Sequence, residues 1–91
     1  MSIELLGGVL KGLSLTIPKK VTIRPTSVLL RRKFFDAHQN WDGLTFVDLC
    51  AGSGAMGLEA ASRGALIVYL FEKNRACLEA IKSNIKLAKN R

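Results

Sequence analysis

Leu44-Thr45-Phe46-Val47-Asp48-Leu49-Cys50-Ala51-Gly52-Ser53-Gly54-Ala55-Met56-Gly57 decides the fold of this 91-residue chain. The run from Leu44 to Cys50 is apolar, β-branched and aromatic, which suits a strand buried on both faces. Glycines interrupt it at Gly52 and Gly54, and Ala55 to Arg63 then reads as a short helix stopped by Gly64. Ala65 to Phe71 is a second apolar run and predicts a second buried strand. Asn74 caps a helix to about Lys89 whose apolar stripe is Cys77 or Leu78, Ile81, Ile85 and Ala88. Strand, helix, strand, helix without hairpin signals predicts a parallel βαβα unit of the α/β class, with a right-handed crossover.

Working outward, residues 3–17 are short apolar stretches broken by Gly7, Gly8 and Gly12, the pattern of a β-hairpin. Pro18-Lys19-Lys20 ends that segment, and Pro25 biases Arg24 away from helix. Thr26 or Ser27 then caps a helix to about Gln39, with Leu30, Phe34 and Ala37 on its inner face and Arg31, Arg32 and Lys33 elsewhere. Asn40-Trp41-Asp42-Gly43 is a turn. His38 and Trp41 beside it are expected to pack rather than catalyse. The chain thus divides into a basic hairpin and helix, residues 1–40, and an α/β unit, residues 41–91. Open α/β sheets have about five or more strands. Two are expected here, so the second part reads as the front half of a domain unless another chain completes the sheet. Exposed strand edges and a bare apolar sheet face would favour self-association.

Composition removes several function classes. Apolar residues are 48% of the chain, too many for a disordered basic tail. The longest apolar run, Ala65 to Phe71, is far short of the ~20 residues that span a bilayer, so no membrane is expected. Met1-Ser2-Ile3-Glu4 lacks a basic leader, which argues against secretion. Cys50 and Cys77 have no CxxC spacing and read as buried thiols of a cytoplasmic protein, without a disulfide framework or zinc site. The net charge is +7. Residues 1–40 carry most of it, with Lys11, Lys19, Lys20, Arg24, Arg31, Arg32 and Lys33 set against Glu4 and Asp36. A phosphate-facing surface there would steer nucleic acid by long-range electrostatics, and the competing reading is an ordinary solvated face.

Gly52-Ser53-Gly54-Ala55-Met56-Gly57 is a GxGxxG between a predicted strand and a predicted helix, the context that gives the pattern meaning. Gly52 permits a tight turn, Gly54 lets a ligand approach the backbone, and Gly57 allows close helix–strand packing. Glu72 follows Gly52 by twenty residues, where a carboxylate can accept both hydroxyls of a ribose. Asp48 lies within the first apolar run. An ionised carboxylate there costs several kcal/mol unless paired, and it would repel a pyrophosphate. It suits a ligand carrying an amino group or a sulfonium, which disfavours a nicotinamide dinucleotide. The competing reading is a strand-end carboxylate bonded to N–H groups of its own loop.

Asp48-Leu49-Cys50-Ala51-Gly52-Ser53-Gly54 resembles the first motif of the Rossmann-like S-adenosylmethionine-dependent methyltransferases. Gly7-Gly8-Val9-Leu10-Lys11-Gly12-Leu13 is similar to the glycine-bearing hairpin that opens the bacterial 16S rRNA guanine-N2-methyltransferase family. Arg24-Pro25-Thr26-Ser27, with Arg31 and Phe35, resembles that family's next segment, and Leu58-Glu59-Ala60 its cofactor helix. The resemblance implies an incomplete Rossmann-like methyltransferase fold, with residues 41–91 the front of the cofactor domain. It implies that S-adenosylmethionine is held by Asp48, Ala51, Gly52, Ser53, Gly54, Gly57, Glu72 and Lys73. It places Arg24, Thr26 and Arg31 near the active site.

There are departures from the family pattern. Arg32 stands where an acid usually follows the matched arginine, and Val28-Leu29 replaces polar residues. The Asn/Asp-Pro-Pro-Tyr/Phe motif that receives the exocyclic amine is missing, since Pro18 and Pro25 are the only prolines. The implied reaction is attack of a flipped guanine's amine on the sulfonium methyl. The partner would be 16S rRNA or the small ribosomal subunit, and the 91 residues alone are expected to be inactive. Alternatives are a DNA or protein methyltransferase, or a non-catalytic RNA-binding module.

Overall fold

A computed structural model describes residues 2–17, 28–49 and 51–91. The elements run β1 (Ser2–Glu4), β2 (Ser14–Thr16), α1 (Val28–Ala37), β3 (Thr45–Asp48), α2 (Ala55–Ser62), β4 (Ile67–Leu70) and α3 (Arg75–Lys89). β1 and β2 pair antiparallel with Ile3 opposite Leu15, as the glycine-broken N-terminal pattern predicts. β3 and β4 pair parallel, Thr45 opposite Ile67 and Asp48 opposite Leu70, with α2 as the connection between them. This is part of a Rossmann-like α/β fold. Among the described residues no helix is long and apolar enough to cross a membrane.

α2 is the centre of the packing. Its Ala55 and Leu58 join Ile3, Leu5 and Leu15 of the hairpin in one buried cluster, flanked by Ile85 and Ala88 of α3. Its Ala60 joins Phe35 and Trp41 in a second cluster, against which Phe46 and Val68 of the sheet are packed. Trp41 packs as expected, its indole N–H donating to the His38 carbonyl at 2.6 Å. The His38 side chain itself is exposed, with its ring 5.0 Å from that of Phe34. Gly57 lies where α2 presses on β4. A Cβ there would stand 2.9 Å from Val68 Cγ1 and overlap Leu70 Cδ2, the close packing expected of that glycine.

Two packing expectations are corrected. Among the described residues β3 and β4 are covered on one face only, because α2 covers the side that carries Phe46 and Val68. Val47, at 52% exposure, and Ile67, Tyr69 and Phe71 are left open on the other. The inner face of α1 is Arg31 and Phe35, one turn apart, while Leu30 and Ala37 are exposed. An arginine displaces leucine from that face because its charge is answered inside. Glu59 of α2, 0% exposed, pairs with Arg31 at 3.3 Å and with Arg63 at 3.0 Å. The same carboxylate accepts the Leu6 and Gly7 N–H groups, each at 2.9 Å, tying the hairpin to α2. Arg31 also donates to the Glu4 carbonyl at 3.2 Å.

Candidate functional site at the glycine loop

The loop from Leu49 to Gly54 leaves the C-terminal end of β3 and is laced to the chain following β4. Phe71 N donates to the Asp48 carbonyl at 2.8 Å, and Ala51 N donates to the Phe71 carbonyl at 3.0 Å. One step further, Gly52 N donates to Glu72 Oε1 at 2.9 Å. Glu72 Oε2 accepts from Asn74 N at 3.0 Å, just ahead of α3. The N–H of Asn74, then that of Gly52, hold the Glu72 carboxyl below the usual carboxylate range. It is therefore ionised at neutral pH, and a carboxylate has about four lone-pair sites, enough to serve ligand hydroxyls as well.

Gly54 caps α2 at φ +86°, a left-handed conformation that costs a residue with a Cβ about 1–2 kcal/mol. Its missing side chain would point inward, 3.4 Å from Leu70 and 3.5 Å from Ile81. Backbone conformation is thus a sufficient reason for glycine here. No side chain caps the helix start. Ala51, Ser53, Gly54 and Gly57 are buried, Asp48, Gly52 and Glu72 are half-buried, and Lys73 is exposed. The structure therefore brings the expected cofactor residues together at the carboxyl ends of β3 and β4, where ligands of open α/β sheets bind. Two carboxylates beside one loop disfavour phosphate and suit hydroxyl and ammonium groups, so the donor set fits an adenosyl amino acid.

The expected substrate-side residues fare differently. Arg24 and Thr26 lie outside the described residues, as do Cys50, Lys19 and Lys20. Arg31 is 1% exposed, with its terminal nitrogens on Glu59 and the Glu4 carbonyl, so its guanidinium faces the interior and not a solvent-side phosphate. Burial pulls its pKa down and Glu59 pulls it back up. Arg32 and Lys33 are exposed as expected. Cys77 is buried, and burial pushes its thiol pKa up.

Two site-supporting residues were missed in the sequence. Glu59 is one, hidden because a lone acid on a short helix reads as solvated. Asn84 is the other. It is 0% exposed on α3 and donates to the Ser53 carbonyl of the loop at 2.9 Å. Its position between Ile81 and Ile85, inside an apolar stripe, is the available signal.

The family described as conserved hypothetical protein 95 matches residues 3–91. This chain belongs to that family. Ribosomal RNA small subunit methyltransferase D of Escherichia coli is 37% identical over 92 aligned residues, covering 96% of this chain and 44% of its own. The solved structure of yhhF from Escherichia coli superposes with a TM-score of 0.85 at 32% identity, over 98% of this chain and 48% of that one. A hypothetical protein of Thermus thermophilus superposes at 0.80 with 36% identity, over 96% and 50%. The chain spans less than half the length of the curated relatives it matches.

Proposed function

We propose that this chain forms the S-adenosylmethionine-binding part of an rRNA methyltransferase of the cytoplasm. Its target would be the exocyclic N2 amine of a guanine in small-subunit rRNA. The observation that carries the reading is Glu72. Its carboxylate accepts the Gly52 N–H at 2.9 Å, at the carboxyl ends of two parallel strands, the first of which ends on Asp48. That is where a ribose diol would be read. Asp48 would orient the cofactor's amino group, and Ala51 to Gly54, Gly57 and Lys73 would shape the rest of the cradle. The cofactor, when bound, supplies a methyl group activated on sulfonium. This chain's residues bind and orient it, and residues 1–40 would form the RNA-facing part.

The name of the Escherichia coli relative supports rRNA as the substrate class. Arg24 and Thr26 are assigned beside the active site. Arg31 is assigned to the same region as an anchor of α1 through Glu59, and not as a group touching RNA. The open face bearing Val47, Tyr69 and Phe71 would favour self-association. Calorimetry with S-adenosylhomocysteine, NAD and ATP tests the cofactor assignment. Binding of S-adenosylhomocysteine alone is expected. Binding of NAD or ATP instead, or of none, would reject it.

A further inference from the structure

The Asn84 side chain meets four groups, all beyond its own helix. Nδ2 donates to the Ser53 carbonyl at 2.9 Å and to the Thr16 carbonyl at 3.0 Å. Oδ1 accepts from Thr16 N at 2.8 Å and from Thr16 Oγ1 at 3.0 Å. The partners fix the amide's orientation, since two carbonyls can only accept and a backbone N–H can only donate. Two donors and two acceptor sites are all a carboxamide offers, and each is used. Aspartate has the shape but no donors when ionised, and glutamine is a methylene longer. An alanine would leave the buried Ser53 carbonyl without this partner and would release the Thr16 groups at the edge of β2.

Ser53 lies between Gly52 and Gly54, whose φ angles are +57° and +86°. A glycine on each side of Ser53 leaves the loop backbone little intrinsic preference. The loop is tied on its strand side through Ala51 and Gly52. Asn84 ties it on the helix side, and through Thr16 it fastens β2 to the same point. We propose that Asn84 is the positioning residue of the cofactor loop, setting the Ser53 carbonyl and hence the aim of the cradle while locking the hairpin to it. The inference rests on the loop being the cofactor site, as proposed above.

The test uses the 91-residue chain and S-adenosylhomocysteine. Asn84→Asp should raise the dissociation constant about tenfold or more, because a carboxylate cannot donate to the Ser53 carbonyl. Should that variant not fold, Asn84→Ser removes the reach to Ser53 without adding charge and serves the same readout. Two controls separate positioning from stability. Thr16→Val deletes one arm of the clamp but leaves the Ser53 bond, and Leu15→Ala loosens the hairpin core without touching Asn84. Both should lower the melting temperature yet keep affinity within about twofold. A spectroscopic readout accompanies them. The Ser53 carbonyl and Gly54 amide resonances should move in Asn84→Asp or Asn84→Ser and stay near their native positions in Leu15→Ala. Native affinity in a folded Asn84 variant would overturn the proposal alone. Failure of the native chain to bind would overturn the cofactor reading and this proposal with it.

Discussion

Glu59→Gln tests the buried charge that organises the fold. Glu59 is 0% exposed and serves four partners, the N–H groups of Leu6 and Gly7 and the guanidinium groups of Arg31 and Arg63. The amide keeps one oxygen for a backbone N–H and turns an NH2 toward the other, which costs about 1–3 kcal/mol. The larger loss is the countercharge of Arg31, whose side chain is 1% exposed. Removing one partner of a buried pair costs about 3–5 kcal/mol. Arg63, at 14% side-chain exposure, can turn toward solvent and adds little. These losses overlap, so about 4 kcal/mol is expected, against roughly 5–14 kcal/mol for a domain of this size. The melting temperature should fall by about 15–30 °C. Urea unfolding followed by circular dichroism measures the free-energy loss, and a thermal scan the melting temperature. Glu79→Gln is the contrast, because Glu79 and Lys82 are 3.9 Å apart with side chains 68% and 72% exposed. That change should stay within about 0.5 kcal/mol. Adding Arg31→Met to Glu59→Gln should restore about 1 kcal/mol or more by removing the stranded charge. A Glu59→Gln cost below about 1 kcal/mol would refute the reasoning.

Gly57→Ala should cost about 1–3 kcal/mol, because the new methyl meets Val68 and Leu70; an unchanged urea midpoint would show that α2 can shift away. Glu72 gives a pH signature. Its folded-state pKa is lowered by the Asn74 and Gly52 N–H groups, so its contribution to stability is present above the unfolded value near ~4.3 and is lost as pH falls through the lowered folded value. The stability difference between the native chain and Glu72→Gln should therefore be largest above about pH 5 and shrink on acidification; a gap that is flat with pH would sink this assignment. Gly54→Ala should cost about 1–2 kcal/mol through φ alone, measured the same way, since its Cβ would meet only ordinary contacts.

The α/β unit was legible because its signals are local. Alternation of apolar runs with Gly52, Gly64 and Asn74 places β3, α2, β4 and α3 to within two residues of the expected boundaries. Asn74 caps α3 through its side chain on Cys77 N at 3.0 Å, as the pattern predicts. What periodicity could not show was the inner face of α1, because Arg31 is buried only by virtue of Glu59, 28 residues away. Glu59 and Asn84 escaped for the same reason. Their partners, Leu6, Gly7 and Thr16, lie 52 to 68 residues off, on the hairpin. The one-sided covering of β3 and β4 was equally invisible, since an apolar strand reads the same whether one face or two are covered. The GxGxxG pattern located the loop, while the left-handed φ of Gly54 appears only in the structure.

The central claim is that the loop between β3 and α2, with Glu72, holds S-adenosylmethionine. Amide chemical shifts of the 91-residue chain, followed while S-adenosylhomocysteine is added, test it most directly. Saturable shifts centred on residues 51–57 and 72–74 are predicted, lost or weakened about tenfold in Glu72→Ala. Shifts confined to the hairpin around Gly7 to Gly12, or none at millimolar ligand, would contradict it.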